Sequence, residues 1–140
     1  MGEIRVKVRL TNAGDIAIAR RGMMDPKTVR FVDTEAVVDT GAVRTVIPIS
    51  IMKRLGIEEV DQTVAEYADG RKETVPMTEP IRVDIMERWS SEEALVMGDE
   101  VLIGRTIISK LDLLADCANR RLIPVHLNQP VSKVRMTRNA

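Results

Sequence analysis

The sequence predicts a mostly-β domain, a barrel or a sandwich, and three observations carry that reading. Several short segments alternate apolar with polar residues. Turn signals separate them at regular spacing, and only two short stretches carry a helical pattern. At 140 residues the chain suits one domain, long enough to remove roughly two-thirds of its unfolded surface from water. That domain is expected over residues 1–127, with 128–140 a polar tail that is frayed or borrowed by a partner.

In chain order, Ile4-Arg5-Val6-Lys7-Val8-Arg9-Leu10 alternates strictly between apolar and basic residues, the period of a half-buried strand, and Thr11 to Asp15 reads as the turn after it. Asp15 to Met24 fits a short helix or a strand, is weakened for both by Gly22, and reads as a connection closed by Asp25-Pro26. Thr28 to Val32 and Glu35 to Val38 are two strands or one bent strand, with Asp33-Thr34-Glu35 a solvated bend. Ile49 to Leu55 reads as a short helix, with Ser50 as its N-cap and Gly56 as its stop.

Thr63 to Val75 is the clearest hairpin, its Asp69-Gly70 tip suited to a type I′ turn. Its arms carry few large apolar residues, so it projects from the core. Pro80 to Met86 alternates again, and Ser90-Ser91-Glu92-Glu93 reads as the turn into a strand at Ala94 to Met97. Val101-Leu102-Ile103 is a fully apolar strand ending at Gly104, followed by a helical turn or two from Thr106. Leu113 to Asp116 and Arg121 to Pro124 make a final hairpin.

The inventory excludes several chemistries. One His and one Cys cannot build a closed zinc site, and they leave little for a Ser-His-Asp or Cys-His system. No metal and no other cofactor is therefore expected. His126 alternates with apolar neighbours like the outward face of a late strand. Twenty-one basic residues balance twenty-one acidic ones, so no net field draws the chain to nucleic acid or to a membrane surface. The lone Cys117, the charged start and the lack of a long apolar run fit a cytoplasmic protein.

One stretch stands apart. Val37-Val38 carries Asp39 to the end of an apolar run, and Thr40, Gly41 and Ala42 turn the chain away. Carboxylates are seldom placed in such a setting unless something uses them. Val101-Leu102-Ile103-Gly104 followed by a helix echoes this plan without the acid.

Together, Asp39-Thr40-Gly41-Ala42, the hairpin around Asp69-Gly70 and the second glycine motif at Ile103-Gly104 resemble the retropepsin-like aspartic proteases, single-domain relatives of pepsin. The tripeptide alone arises by chance in about one chain in forty of this length, so three motifs in order carry the resemblance, from about Val29 to Pro124. It implies a closed acid-protease barrel with one or two short helices. It also implies an aspartic endopeptidase acting on a peptide or protein substrate. That reaction needs two carboxylates around one water, and this chain supplies one, so the resemblance implies a homodimer with Asp39 from each copy. Thr40 would then bond across the twofold axis and brace the two loops, although a turn hydroxyl satisfying its own backbone is the plainer alternative. Gly41 would let the backbone approach, and Ala42 would fit the crowded interface. Tyr67, Ala68, Asp69 and Gly70 would form a flap pairing with substrate backbone, or else an ordinary surface hairpin. Arg105 could enter a salt bridge or simply face solvent. The alternative function is a catalytically weak dimer of the same fold that binds peptide or dimerises; a generic small β-barrel binding domain is the third reading.

Overall fold

Strands that alternate in sequence must bury one face, and six of them do so by closing on each other. The computed structural model describes residues 2–136. It contains β1 (Ile4–Asn12), α1 (Ala13–Arg20), a 3-10 turn (Pro26–Thr28), β2 (Phe31–Val38), β3 (Val46–Ile47), α2 (Ile49–Leu55), β4 (Glu59–Glu66) and β5 (Lys72–Ile85). After these come β6 (Arg88–Val96), β7 (Val101–Ile103), α3 (Arg105–Lys110), β8 (Leu113–Asp116) and β9 (Arg121–Pro124). The main sheet runs β1-β2-β7-β3-β6-β5-β4, and a further pairing of β1 with β5 closes the first six into a barrel. β4 is left outside the closure, paired only with β5, and β8 and β9 form a separate hairpin. This is the mostly-β closed barrel that the sequence predicts.

The alternation lines the barrel as expected. Leu10, Ile81, Val83, Ile85, Ile103 and Ile47 are essentially inaccessible and form one core with Leu55 of α2 and Ile107 of α3. The outer face carries charge. Arg9 of β1 makes a two-pronged pair with Asp33 of β2 (Nε to Oδ1 2.7 Å, Nη2 to Oδ2 2.9 Å) and stacks on the exposed Phe31 ring. Asp33-Thr34-Glu35 therefore lies inside one continuous strand rather than at a bend; its polar residues face water on a paired ladder.

Four other local expectations are corrected. Asp15 to Met24 is not an open connection, because a third helix, α1, follows β1 directly. The Asn12 side chain accepts from the Asp15 N–H at 2.9 Å and caps it, and the buried Asp15 carboxylate takes three donors from Arg30. Ser50 does not cap α2; Pro48 occupies that position and no side chain bonds the end, while Gly56 stops the helix at φ +65° as expected. Ser90 to Glu93 is not a turn but the middle of β6. The turn lies at Met86-Glu87, both at positive φ (54° and 66°), joining Ile85 to Arg88 as a two-residue type I′ hairpin. At the β4–β5 tip the reverse holds: only Gly70 has positive φ (+87°). Gly70 donates to the Tyr67 carbonyl at 2.9 Å, and the Tyr67 N–H to the Arg71 carbonyl at 2.8 Å. That is a three-residue loop with a glycine bulge, not type I′.

β5 replaces the two shorter strands expected on either side of residue 76. Its first half pairs with β4 and its second half with β1 and β6, and the register with β6 shifts between Met77 and Pro80. The β8–β9 hairpin stands where predicted, but β9 ends at Pro124, so His126 is not on a strand. Its Nδ1 instead meets Asp112 Oδ2 at 2.6 Å, and this contact is the main reason the Asp112 carboxyl sits below the usual range. Residues 128–136 have no regular structure and are exposed; Met1 and the end of the tail, 137–140, lie outside the described residues. Among the described residues no helix is long and apolar enough to cross a membrane.

Candidate active site

The apolar run of β2 is held between β1 and β7, and this fixes where Asp39 emerges. Val38 pairs with Ile103 in the parallel β2–β7 ladder, and the Asp39 N–H extends it by donating to the Ile103 carbonyl at 2.9 Å. The chain then turns: the Ala42 N–H donates to the Asp39 carbonyl at 3.1 Å, and the Gly41 N–H to Asp39 Oδ1 at 3.0 Å. The carboxylate is half-buried at the mouth of the turn, and among the described residues no basic side chain pairs with it. A Cβ on residue 41 would sit 3.2 Å from that same Oδ1, so glycine gives the amide its close approach.

The loop from Asp39 to Thr45 is clamped from beneath by the second glycine motif. A Cβ on Gly104 would lie 2.7–2.8 Å from the carbonyl oxygens of Ala42, Val43 and Arg44. No side chain fits there. The contact lets the loop carbonyls receive the first N–H groups of α3, which have no partner inside the helix: Arg105 donates to Ala42 at 2.9 Å and Thr106 to Val43 at 3.0 Å. Arg105 itself is exposed. Asp39, Thr40, Gly41, Ala42, Ile103 and Gly104, predicted as one site, are thus one connected unit.

Thr40 is exposed, and among the described residues its hydroxyl makes no hydrogen bond. Tyr67 is half-buried, its ring under the Arg71 guanidinium (4.7 Å), while Ala68, Asp69 and Gly70 are exposed at the tip. Asp69 accepts from the backbone N–H of Arg71 (3.0 Å) and from its Nε (2.8 Å). Among the described residues no hydrogen bond joins this tip to the Asp39 loop, so the single chain does not bring the two predicted halves of the site into contact.

Sequence reasoning missed the residues that hold the loop from inside. Glu92 of β6 points into the barrel with its side chain 3% exposed. It accepts from the Thr45 N–H at 2.8 Å and meets the Thr106 hydroxyl at 2.5 Å. Outside it, Arg44 pairs with Glu93 at 3.3 Å. The available signal was period two: Ala94 and Val96 face inward, and counting back along the same strand puts Glu92 beside them.

A closed barrel with an Asp-Thr-Gly turn seated on a glycine-ended strand defines an acid-protease arrangement. The family model described as aspartyl protease matches residues 26–114, which spans the Asp39 loop, the β4–β5 hairpin and Gly104. The chain belongs to that family, within the retropepsin-like group. No curated protein matches it. Family and fold together support a protease-type function and displace the reading as an unrelated binding barrel.

Proposed function

We propose that the protein is a homodimeric aspartic endopeptidase in which the Asp39 carboxylates of two copies share one water. The observation that carries this reading is the state of Asp39. One carboxylate oxygen is held by a backbone amide on a clamped loop, and no cation neutralises the group among the described residues. The loop is built to hold an acid at the surface, and a single chain provides no second acid beside it.

Two carboxylates about 3 Å apart cannot both ionise, so the pair keeps one proton. The ionised member takes a proton from the water as its oxygen attacks the substrate carbonyl, and the other gives its proton to the carbonyl oxygen. Collapse of the tetrahedral intermediate then returns a proton to the departing amine. The free hydroxyl of Thr40 supports a bond made to the second copy rather than to its own turn. In this reading, Tyr67 to Gly70 cover the substrate as an added strand. No cofactor takes part.

Asp39→Asn tests the reading. The variant should remain folded and dimeric while its kcat against a peptide mixture falls at least about a thousandfold, since the acid–base pair is gone. Cleavage at the parent rate would sink the proposal. A stable parent dimer that binds peptide without cutting it, from acid to neutral pH, would instead favour the non-cleaving module.

A further inference from the structure

Glu92, Thr106, Thr45 and Val43 form a chain of contacts between β6, α3 and the Asp39 loop. The Thr45 N–H donates to Glu92 Oε2 at 2.8 Å. The Thr106 hydroxyl lies 2.5 Å from Glu92 Oε1 and 2.8 Å from the Val43 carbonyl oxygen. The Val43 carbonyl also accepts from the Thr106 N–H at 3.0 Å, so one glutamate reaches both the loop and the start of the helix on which the loop rests.

We infer that Glu92 is the positioning residue of the Asp39 loop, tying the amide of Thr45 to the Thr106 hydroxyl of α3 and, through it, to the carbonyl of Val43. The inference rests on the protease reading for its effect on turnover but not for its geometry. Val43 and Thr45 bracket the loop four and six residues after Asp39, so the bridge sets where the carboxylate sits without touching substrate. The charged groups around it do not replace the bridge. Lys110 of α3 holds Nζ 3.8 Å away, but it is half-exposed and donates to the Ser91 carbonyl at 3.0 Å. Arg44 is engaged with Glu93. Arg88, on the same face of β6, is spent on the carbonyls of Leu111, Asp112 and His126. From β5, Glu92 is paired with the apolar Ile81.

A glutamine amide keeps both links, with its oxygen accepting from Thr45 and its NH₂ donating to the Thr106 oxygen; an alanine removes both. The test uses the 140-residue chain and a peptide that the parent cleaves, with kcat and KM measured at the pH where the parent is most active. Glu92→Gln should keep most of the parent kcat, because both links survive. Glu92→Ala should lose roughly a hundredfold in kcat, the scale of an ångström misplacement, with KM changed less. A glutamine variant as poor as the alanine one, or an alanine variant with the parent kcat, overturns the inference. Hydrogen exchange at the Thr45 amide, read in an Asp39→Asn background, needs no turnover. It should be slow with Glu or Gln at 92 and fast with Ala, and equal rates in all three overturn the positioning role even if the protease reading stands. Absence of any cleavage by the parent, with the exchange pattern intact, removes the protease reading and leaves the bridge.

Discussion

The hydroxyl of Thr45 is fully buried and, among the described residues, has no hydrogen-bond partner. Its backbone is in heavy use, since the N–H goes to Glu92 and the carbonyl receives the Leu95 N–H at 2.9 Å. The side chain contributes shape and an unmet polar atom. Valine has the same shape without that atom, so Thr45→Val should raise stability by about 1 kcal/mol in a denaturant titration, the scale of an unsatisfied buried group. A loss of stability would mean that the hydroxyl has a partner. The contrast with Asp39 shows what single residues disclose in a sequence. An acid after Val37-Val38 announces itself because the neighbours are wrong for it, and Gly41 and Gly104 announce themselves as small residues at turns. Glu92 stays hidden because Ser90, Ser91 and Glu93 surround it with residues that are right for a surface.

The elements divide in a similar way. Strands with strict alternation, such as β1, and the glycine-ended β7 were legible, as was α2 through its Gly56 stop. Turn chemistry was less so. Asp69-Gly70 has the residues of a type I′ turn but sits in a three-residue loop, whereas Met86-Glu87 has no such residues and adopts the left-handed pair. The reason is register. The β5–β6 ladder pairs Ile85 with Arg88, and their burial on the inner face forces two residues to close the gap whatever their preference. Each non-glycine residue at positive φ costs energy. Replacing Met86-Glu87 by Asn-Gly (M86N with E87G) should therefore stabilise the fold by about 1–2 kcal/mol. Thermal melting checks it, and an unchanged midpoint would mean that the turn is unstrained. The helix α1 was ambiguous because its signal is not in its own eight residues: Asn12 caps it and Arg30, ten positions beyond its end, holds Asp15.

At the scale of the whole molecule, alternation pointed to a barrel or a sandwich and only the family resemblance implied the closed barrel, because no local pattern says that β1 will reach β5. Stability in acid is also a property of the whole. Asp15, Asp33, Asp112 and Asp116 all have carboxyl groups held below the usual range, the first two chiefly by the side-chain bonds of Arg30 and Arg9, Asp112 by His126 and Asp116 by Asn119. A depressed folded value means that the stabilisation is present above the unfolded value near 3.9 and is lost as pH falls through the folded ones. Asp15 is the buried member. Asp15→Asn should cost about 1–3 kcal/mol at neutral pH, with the gap to the parent narrowing below roughly pH 4. A gap constant with pH would detach the pair from acid unfolding. The ring of six strands also separates two clocks in one molecule. β5 pairs with β4 alone up to Pro76 and with β6 of the ring from Met77 onward, and the ladder to β6 is interrupted by a register shift that ends at Pro80, which has no N–H to give. The part of the hairpin beyond Met77, Lys72 to Pro76 with its β4 partners, can swing on the nanosecond-to-millisecond scale of loops and hinges without breaking any rung of the ring. The frame around Asp39 comes apart only at the far slower rate at which the whole chain unfolds.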